Sequence, residues 1–166
     1  MMEHAEHSPA AILEKAAGAV NCQSVTLPSG LTVLCRTMPG YSSVHAMYAT
    51  NFGSVVREFT LNGKRLQLPA GTAHFLEHKM FESEQGDAFD LYAKTGAAAN
   101  AFTSYDRTCY IFTATGMTDE NLDILLNMVG HPWFTKETIA KEQGIIGQEI
   151  KMYDDSPDWR LLTALF

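Results

Sequence analysis

Two histidines and a glutamate lie within five residues of an otherwise apolar stretch of this chain. The segment reads His74-Phe75-Leu76-Glu77-His78 and is followed by Met80 and Phe81. A helix over 71–81 would turn by roughly 100° per residue, so the two imidazoles would project from one face, about 40° apart. Burying ionisable groups without partners is costly. The fold must therefore supply a partner, and both imidazoles could bind one metal ion.

Glu77 would lie roughly 60° to the other side of His74, where it borders the metal without being forced onto it. That position suits a general base that takes a proton from a water activated by the metal. The alternative is that the three side chains are simply satisfied within a partly buried helix. The spacing His-x-x-Glu-His is known from zinc sites, and this favours the metal hypothesis.

A catalytic zinc ion normally takes three protein ligands, so a third ligand must come from another segment. The segment 136–155 is predicted to be a long helix, and a helical wheel places Glu142 and Glu149 within its apolar arc. Carboxylates on such a face need a cationic partner. Glu149 could bind the metal while Glu142 holds a histidine ligand by a hydrogen bond. Alternatively, either carboxylate pairs with a cation such as Arg107 or Arg57.

The remaining patterns predict a mixed α+β domain with a largely antiparallel sheet. Alternating apolar and polar residues around Pro28-Ser29-Gly30 and around Tyr105-Asp106-Arg107 predict two pairs of strands joined by turns. Another strand is predicted over 44–56, and the segment 59–69 is interpreted as a loop. Further helices are predicted over 8–20, 87–95 and 120–130.

Composition limits the classes of partner and the compartment. The net charge of −7 argues against nucleic acid, whose binders concentrate Lys and Arg. The three cysteines form no CxxC pair and are odd in number, so neither a disulfide framework nor a thiolate zinc site is indicated. The sequence shows no signal peptide and no apolar run of about 20 residues that could cross a membrane. We therefore expect a cytoplasmic protein without a membrane partner.

Several longer stretches resemble the pitrilysin-insulysin (M16) metallopeptidase family, whose inverted zinc motif is HxxEH. They extend from LPSGLTVL through GTAHFLEHKMFE and GAAANAFTSYDRTCYIF to KEQGIIGQEIKMYDDSPDW, and they are most similar to the bacterial YmfH-like branch. The resemblance implies a fold like that of the LuxS and MPP metallohydrolases. Residues 1–20 would form an N-terminal helical extension, and 21–166 the N-terminal part of a catalytic domain. That domain is expected to be incomplete at the C-terminus, because the chain ends in the apolar run LLTALF.

The resemblance also assigns roles to individual residues. It implies Zn2+ ligands at His74, His78 and Glu149, a general base at Glu77 and an assisting carboxylate at Glu142. Asn100 and Ala101 would bind the backbone of an extended peptide at a sheet edge, although the sequence alone also allows Asn100 to be a turn residue.

The resemblance further implies partners for this chain. Family members close around peptides as paired domains, so a second M16-type domain or subunit, or a further copy of this chain, would complete the site. The expected function is a zinc-dependent metalloendopeptidase, although without the opposing domain zinc binding is expected more firmly than turnover. The alternatives are a non-catalytic binding or assembly subunit of a processing-peptidase-like pair, and a purely structural metal site.

Overall fold

The computed structural model describes residues 22–165, which divide into two compact units with a boundary between Tyr41 and Ser42. The predicted helix over 8–20 lies outside the described residues. In the first unit, strand β1 (Gln23–Thr26) pairs antiparallel with β2 (Thr32–Cys35). The predicted turn between them is confirmed, since Leu27 N–H donates to Leu31 O at 2.8 Å.

The second unit is built on a three-stranded antiparallel sheet in the order β3-β9-β8. Its strands are β3 (Val44–Thr50), β8 (Ala98–Thr103) and β9 (Thr108–Ala114). The predicted turn between β8 and β9 is confirmed by the hydrogen bond from Ser104 N–H to Arg107 O at 2.8 Å. Within the second unit, β8 is an edge strand, which leaves one side of its backbone free to pair.

The predicted strand over 44–56 is too long, because β3 ends at Thr50. The chain then approaches the β8–β9 turn closely at Gly53, where an added Cβ would lie 2.5 Å from both Arg107 N and Tyr105 O. Hydrogen bonds from Ser54 N–H and Val55 N–H to the turn carbonyls fix this approach. The strand is therefore replaced by a backbone crossing that only glycine can accommodate.

The interpretation of 59–69 as a loop is wrong. The structure has a hairpin there, formed by β4 (Glu58–Leu61) and β5 (Lys64–Gln67). Asn62 and Gly63 both have positive φ, 50° and 76°, as a two-residue hairpin turn of the favoured hand requires. A second, smaller hairpin pairs β6 (Glu82–Ser83) with β7 (Gly86–Asp87).

The described part of the chain contains five helices. They are α1 (Thr72–Lys79), α2 (Ala88–Thr95), α3 (Thr118–Gly130), α4 (Lys136–Asp154) and α5 (Pro157–Thr163). Asp87 caps α2 by accepting from Phe89 N–H, and Thr135 with Thr138 forms a capping box that begins α4. Among these helices, none combines the length and hydropathy needed to cross a bilayer.

The hydrophobic core lies between one face of the sheet and the helices. Alternate residues of the central strand β9 point into it, and helix residues meet them. The core consists of Phe81, Ala88, Tyr92, Tyr110, Phe112, Ala114, Leu125 and Met128. Helix α1 packs on β8 and β9 and also contacts α4, so the histidine motif lies between the sheet and the long helix. This antiparallel sheet with helices packed on it confirms the predicted α+β fold class.

Candidate metal centre

Helix α1 presents both histidines of the motif on one face. Their ring centroids are 4.7 Å apart, and the rings meet edge to face at 75°. This follows from their spacing of four residues, which places two side chains one above the other on a helix. Both rings remain partly accessible, with side-chain exposures of 34% for His74 and 27% for His78.

Helix α4 brings Glu149 to these two rings. Its Oε2 lies 3.7 Å from His74 Nε2 and 3.7 Å from His78 Nε2, and one ligand atom from each residue lies within 4.8 Å of the others. Zinc binds nitrogen and oxygen at about 2.0–2.2 Å, so two ligand atoms on a tetrahedral ion are separated by about 3.4 Å. Glu149 Oε2 is therefore too far from either ring nitrogen to hydrogen-bond, and it lies close to the separation that one shared ion requires. The residues present therefore fit zinc.

Glu142 fixes the orientation of His78. Its Oε1 lies 2.7 Å from Nδ1 of that ring, and only 6% of the residue is exposed. Because a carboxylate only accepts, Nδ1 carries the proton and the lone pair of Nε2 is left for a ligand. The alternative pairing of Glu142 with Arg107 is not seen, since Arg107 binds Asp106 at 2.8 Å. That hydrogen bond and the charge of Asp106 raise the pKa of Arg107.

Glu77 lies beside the cluster, on the side of α1 that faces the sheet. The residue is 9% exposed, and its Oε2 accepts a hydrogen bond from Thr103 Oγ1 at 2.8 Å. Burial, and next the charge of Glu77, raises the pKa of the neighbouring Tyr110. Glu77 is not one of the three residues whose ligand atoms converge, although it lies next to His78 in the chain. Such a position is the one expected of a base that does not bind the metal.

Thr103 is the residue at this site that sequence reasoning missed. It is the last residue of β8 and lies 26 positions from the carboxylate that it contacts. The alternation of β8 places it on the same face as Ala99 and Ala101, and this was the only signal in the sequence.

Asn100 and Ala101 lie within the edge strand β8, so Asn100 is not a turn residue. The Asn100 side chain is exposed, and its Oδ1 accepts from Ala101 N–H at 2.9 Å. The hydrogen bond is local and exposed, and a peptide carbonyl could replace the Asn100 oxygen there. The structure thus places both residues on an edge where an extended chain can add.

Comparison with known proteins gives concordant matches. The family Insulinase (Peptidase family M16) matches residues 67–166. A protein of Bacillus subtilis (strain 168) named "Uncharacterized zinc protease YmfH" is 47% identical over 137 residues, which are 81% of this chain and 32% of that protein. A structure described as an M16-like peptidase from Alicyclobacillus acidocaldarius superposes with a TM-score of 0.80 at 42% identity. A protease from Helicobacter pylori superposes with a TM-score of 0.69 at 25% identity.

These matches cover most of this chain and a minor part of each relative. Both structural neighbours align over 84% of this chain and 33% of their own. The chain therefore spans about a third of the length of the relatives that it matches. Because the family match covers more than half of the chain and includes the whole histidine motif, the resemblance read from the sequence is confirmed: this chain belongs to the M16 family of peptidases.

Proposed function

We propose that this chain is the zinc-binding, catalytic part of a metalloendopeptidase that hydrolyses peptides or small unfolded proteins. The observation that carries the proposal is the convergence of His74 Nε2, His78 Nε2 and Glu149 Oε2, with the Glu77 carboxylate beside them. The names of two relatives describe them as a zinc protease and an M16-like peptidase, and both names agree with this chemistry.

Residues of this chain would bind the metal, orient a ligand and transfer the proton. His74, His78 and Glu149 would hold zinc, and Glu142 would keep the His78 ring in its ligating orientation. When bound, zinc supplies a Lewis acid that makes water more acidic and polarises the carbonyl of the scissile bond. Glu77 would take the proton from water and deliver it to the leaving amine.

The substrate backbone would be held by β8. An extended peptide adding to this edge would place its carbonyl groups opposite Ala101 N–H, in place of the Asn100 side chain. A second M16-type domain or subunit would close over the peptide and supply groups that stabilise developing charge. This chain spans about a third of the length of the relatives that it matches, which leaves room for such a part.

Metal content tests the ligand assignment directly. The purified chain should contain about one zinc per polypeptide by elemental mass spectrometry, and His78→Ala or Glu149→Gln should reduce that content by at least about tenfold. His131→Ala is the matched control, since His131 is exposed at the end of α3 and should leave the zinc content unchanged. Equal zinc in all variants would mean that these residues do not bind the metal.

Peptide cleavage tests the catalytic role and is measured with the proposed second domain or subunit present. Glu77→Gln should retain zinc but lose about 10²-fold to 10⁴-fold of the cleavage rate, the usual contribution of a general base. Glu84→Gln, an exposed carboxylate between β6 and β7, is the control. Normal cleavage by a zinc-loaded Glu77→Gln protein would exclude Glu77 as the base.

A further inference from the structure

We propose that Thr103 is a positioning residue that holds the Glu77 carboxylate in the orientation needed for proton transfer. The inference rests on the proposed function and adds a residue to it. It starts from one contact, the hydrogen bond that Thr103 Oγ1 donates to Glu77 Oε2 at 2.8 Å.

This hydrogen bond determines which carboxylate oxygen is free. Thr103 occupies Oε2, and among the described residues no other side chain donates to the Glu77 carboxylate. We therefore assign proton transfer to Oε1, the oxygen that accepts no hydrogen bond from the described side chains. A carboxylate that is fixed at one oxygen cannot rotate freely, so Oε1 keeps a constant direction relative to the ligands on the same helix.

The donor itself is held rigidly. Thr103 is paired with Thr108 of β9 in the sheet, and Thr108 Oγ1 donates to Phe52 O at 2.7 Å. The next residue, Ser104, donates its N–H to Arg107 O and closes the turn. The hydroxyl of Thr103 therefore comes from a strand end that is tied down on both sides, which suits an orienting contact.

Thr103 also connects the base to the proposed peptide-binding edge. It follows Ala101 by two residues on β8, and both side chains lie on the face of the strand that meets the helices. The strand that would receive the substrate backbone is thus the strand that fixes the base. Because one rigid element sets both positions, the distance from Glu77 to the scissile bond is defined before the substrate binds.

The test removes the hydroxyl and keeps the shape. Thr103→Val is nearly isosteric, and Thr103→Ser keeps a hydroxyl donor on the same Cβ. Thr60→Val, at an exposed position of β4, is the matched control. We expect Thr103→Val to lower kcat about 10-fold to 100-fold, with KM within about twofold and zinc content unchanged, since misplacing a catalytic group by about 1 Å can cost that much. Thr103→Ser should recover most of kcat.

The kinetic pattern distinguishes positioning from a structural role. A variant that loses zinc, or that raises KM as much as it lowers kcat, would show that Thr103 supports the fold or the metal site, and would overturn the proposal. Wild-type kcat in Thr103→Val would overturn it as well, while leaving the proposed function standing. If neither the wild-type protein nor Thr60→Val cleaves peptides although zinc is bound and the second domain or subunit is present, the proposed function fails and this proposal fails with it.

Discussion

The buried ammonium of Lys79 provides the most direct test of how helix α1 is held in place by charged contacts. Lys79 follows His78 at the end of α1, is fully buried, and pairs with Glu82. The other oxygen of Glu82 accepts from Lys141 of α4 at 3.2 Å, and that lysine side chain is 66% exposed. Glu82 therefore joins a buried cation on α1 to an exposed cation on α4, beside the bond between His78 and Glu142.

The different exposure of the two lysines determines how much each contact with Glu82 adds to the free energy of unfolding. Removing one partner of a buried ion pair costs about 3–5 kcal/mol, because the remaining charge is left without compensation. The Glu82 side chain is 16% exposed, so we expect Glu82→Gln to lower the free energy of unfolding by about 3 kcal/mol, the lower end of that range. The exposed contact is worth at most about 1 kcal/mol, so Lys141→Gln should have a small effect.

A double substitution separates the charge from the packing. Lys79→Met removes the buried ammonium and retains much of its volume, and apolar replacements of a buried pair are often neutral. We therefore expect the protein with both Lys79→Met and Glu82→Gln to unfold within about 1 kcal/mol of wild type, although Glu82→Gln alone is strongly destabilised.

The same pair predicts a dependence on pH. Burial raises the pKa of Glu82, but the hydrogen bonds from Lys79 and Lys141 and the charges of both lysines together outweigh it, so the pKa is lowered from 4.5. A carboxyl group with a lowered pKa in the folded state adds stability above its unfolded pKa and loses it as pH falls through the folded value. The difference in unfolding free energy between wild type and Glu82→Gln should therefore be full at pH 7 and shrink below pH 4.5.

Urea unfolding followed by circular dichroism, at pH 7 and at several acid pH values, measures all four proteins. A Glu82→Gln protein that unfolds within about 1 kcal/mol of wild type at pH 7 would show that Lys79 and Glu82 do not form a stabilising buried pair, because an unpaired buried ammonium lowers stability by more than that. If the double variant is as unstable as Glu82→Gln alone, the loss of unfolding free energy comes from packing and not from the unpaired charge.

The metal site and the backbone crossing at Gly53 can each be tested by one substitution. Glu142→Gln should weaken zinc binding about 10-fold to 100-fold in a competition titration, because it weakens the hydrogen bond that orients His78. Glu137→Gln, at an exposed position of the same helix, is the control and should leave the affinity unchanged. Equal affinities in both variants would contradict the orienting role of Glu142. Gly53→Ala should lower the free energy of unfolding by about 1–3 kcal/mol, because the new Cβ meets backbone atoms at 2.5 Å. Gly116→Ala, whose Cβ would meet no atom within 4 Å, is the control, and an equally stable Gly53→Ala protein would contradict the close approach.

The helical wheel of α4 singled out the two carboxylates that meet the histidines of α1, but for a partly wrong reason. It placed Glu142 and Glu149 within an apolar arc that was expected to face the core. In the structure Glu142 is the buried residue of this helix, while Ile145 and Ile150 are 43% and 56% exposed. The carboxylates face α1 because histidines meet them there, so the helix is placed in part by polar partners.

The hairpin over 58–67 and the end of β3 were mispredicted because local patterns are ambiguous there. Asn62-Gly63 and Pro69 predict a loop, but an Asn-Gly pair is also a strong hairpin signal. Arg65 lies on β5 opposite Thr60, and its guanidinium also contacts Glu58 on the other strand at 2.6 Å. Similarly, Gly53 ends a strand through a contact with a turn more than 50 positions away, which no window of sequence contains.

The contact between Thr103 and Glu77 could not be predicted from one sequence, whereas the histidine motif could. The motif on α1 and the carboxylates on α4 are recognisable because their spacing alone puts them on helix faces. Alternation in β8 likewise puts Thr103 on one face of a strand, but it does not say which face meets α1. That depends on the sheet order β3-β9-β8, in which the last two strands are joined by a turn and the first is paired across a long connection. The hydroxyl that orients Glu77 is thus specified by topology, so in related chains it should be sought from the structure, at the strand end that faces the helix bearing the base.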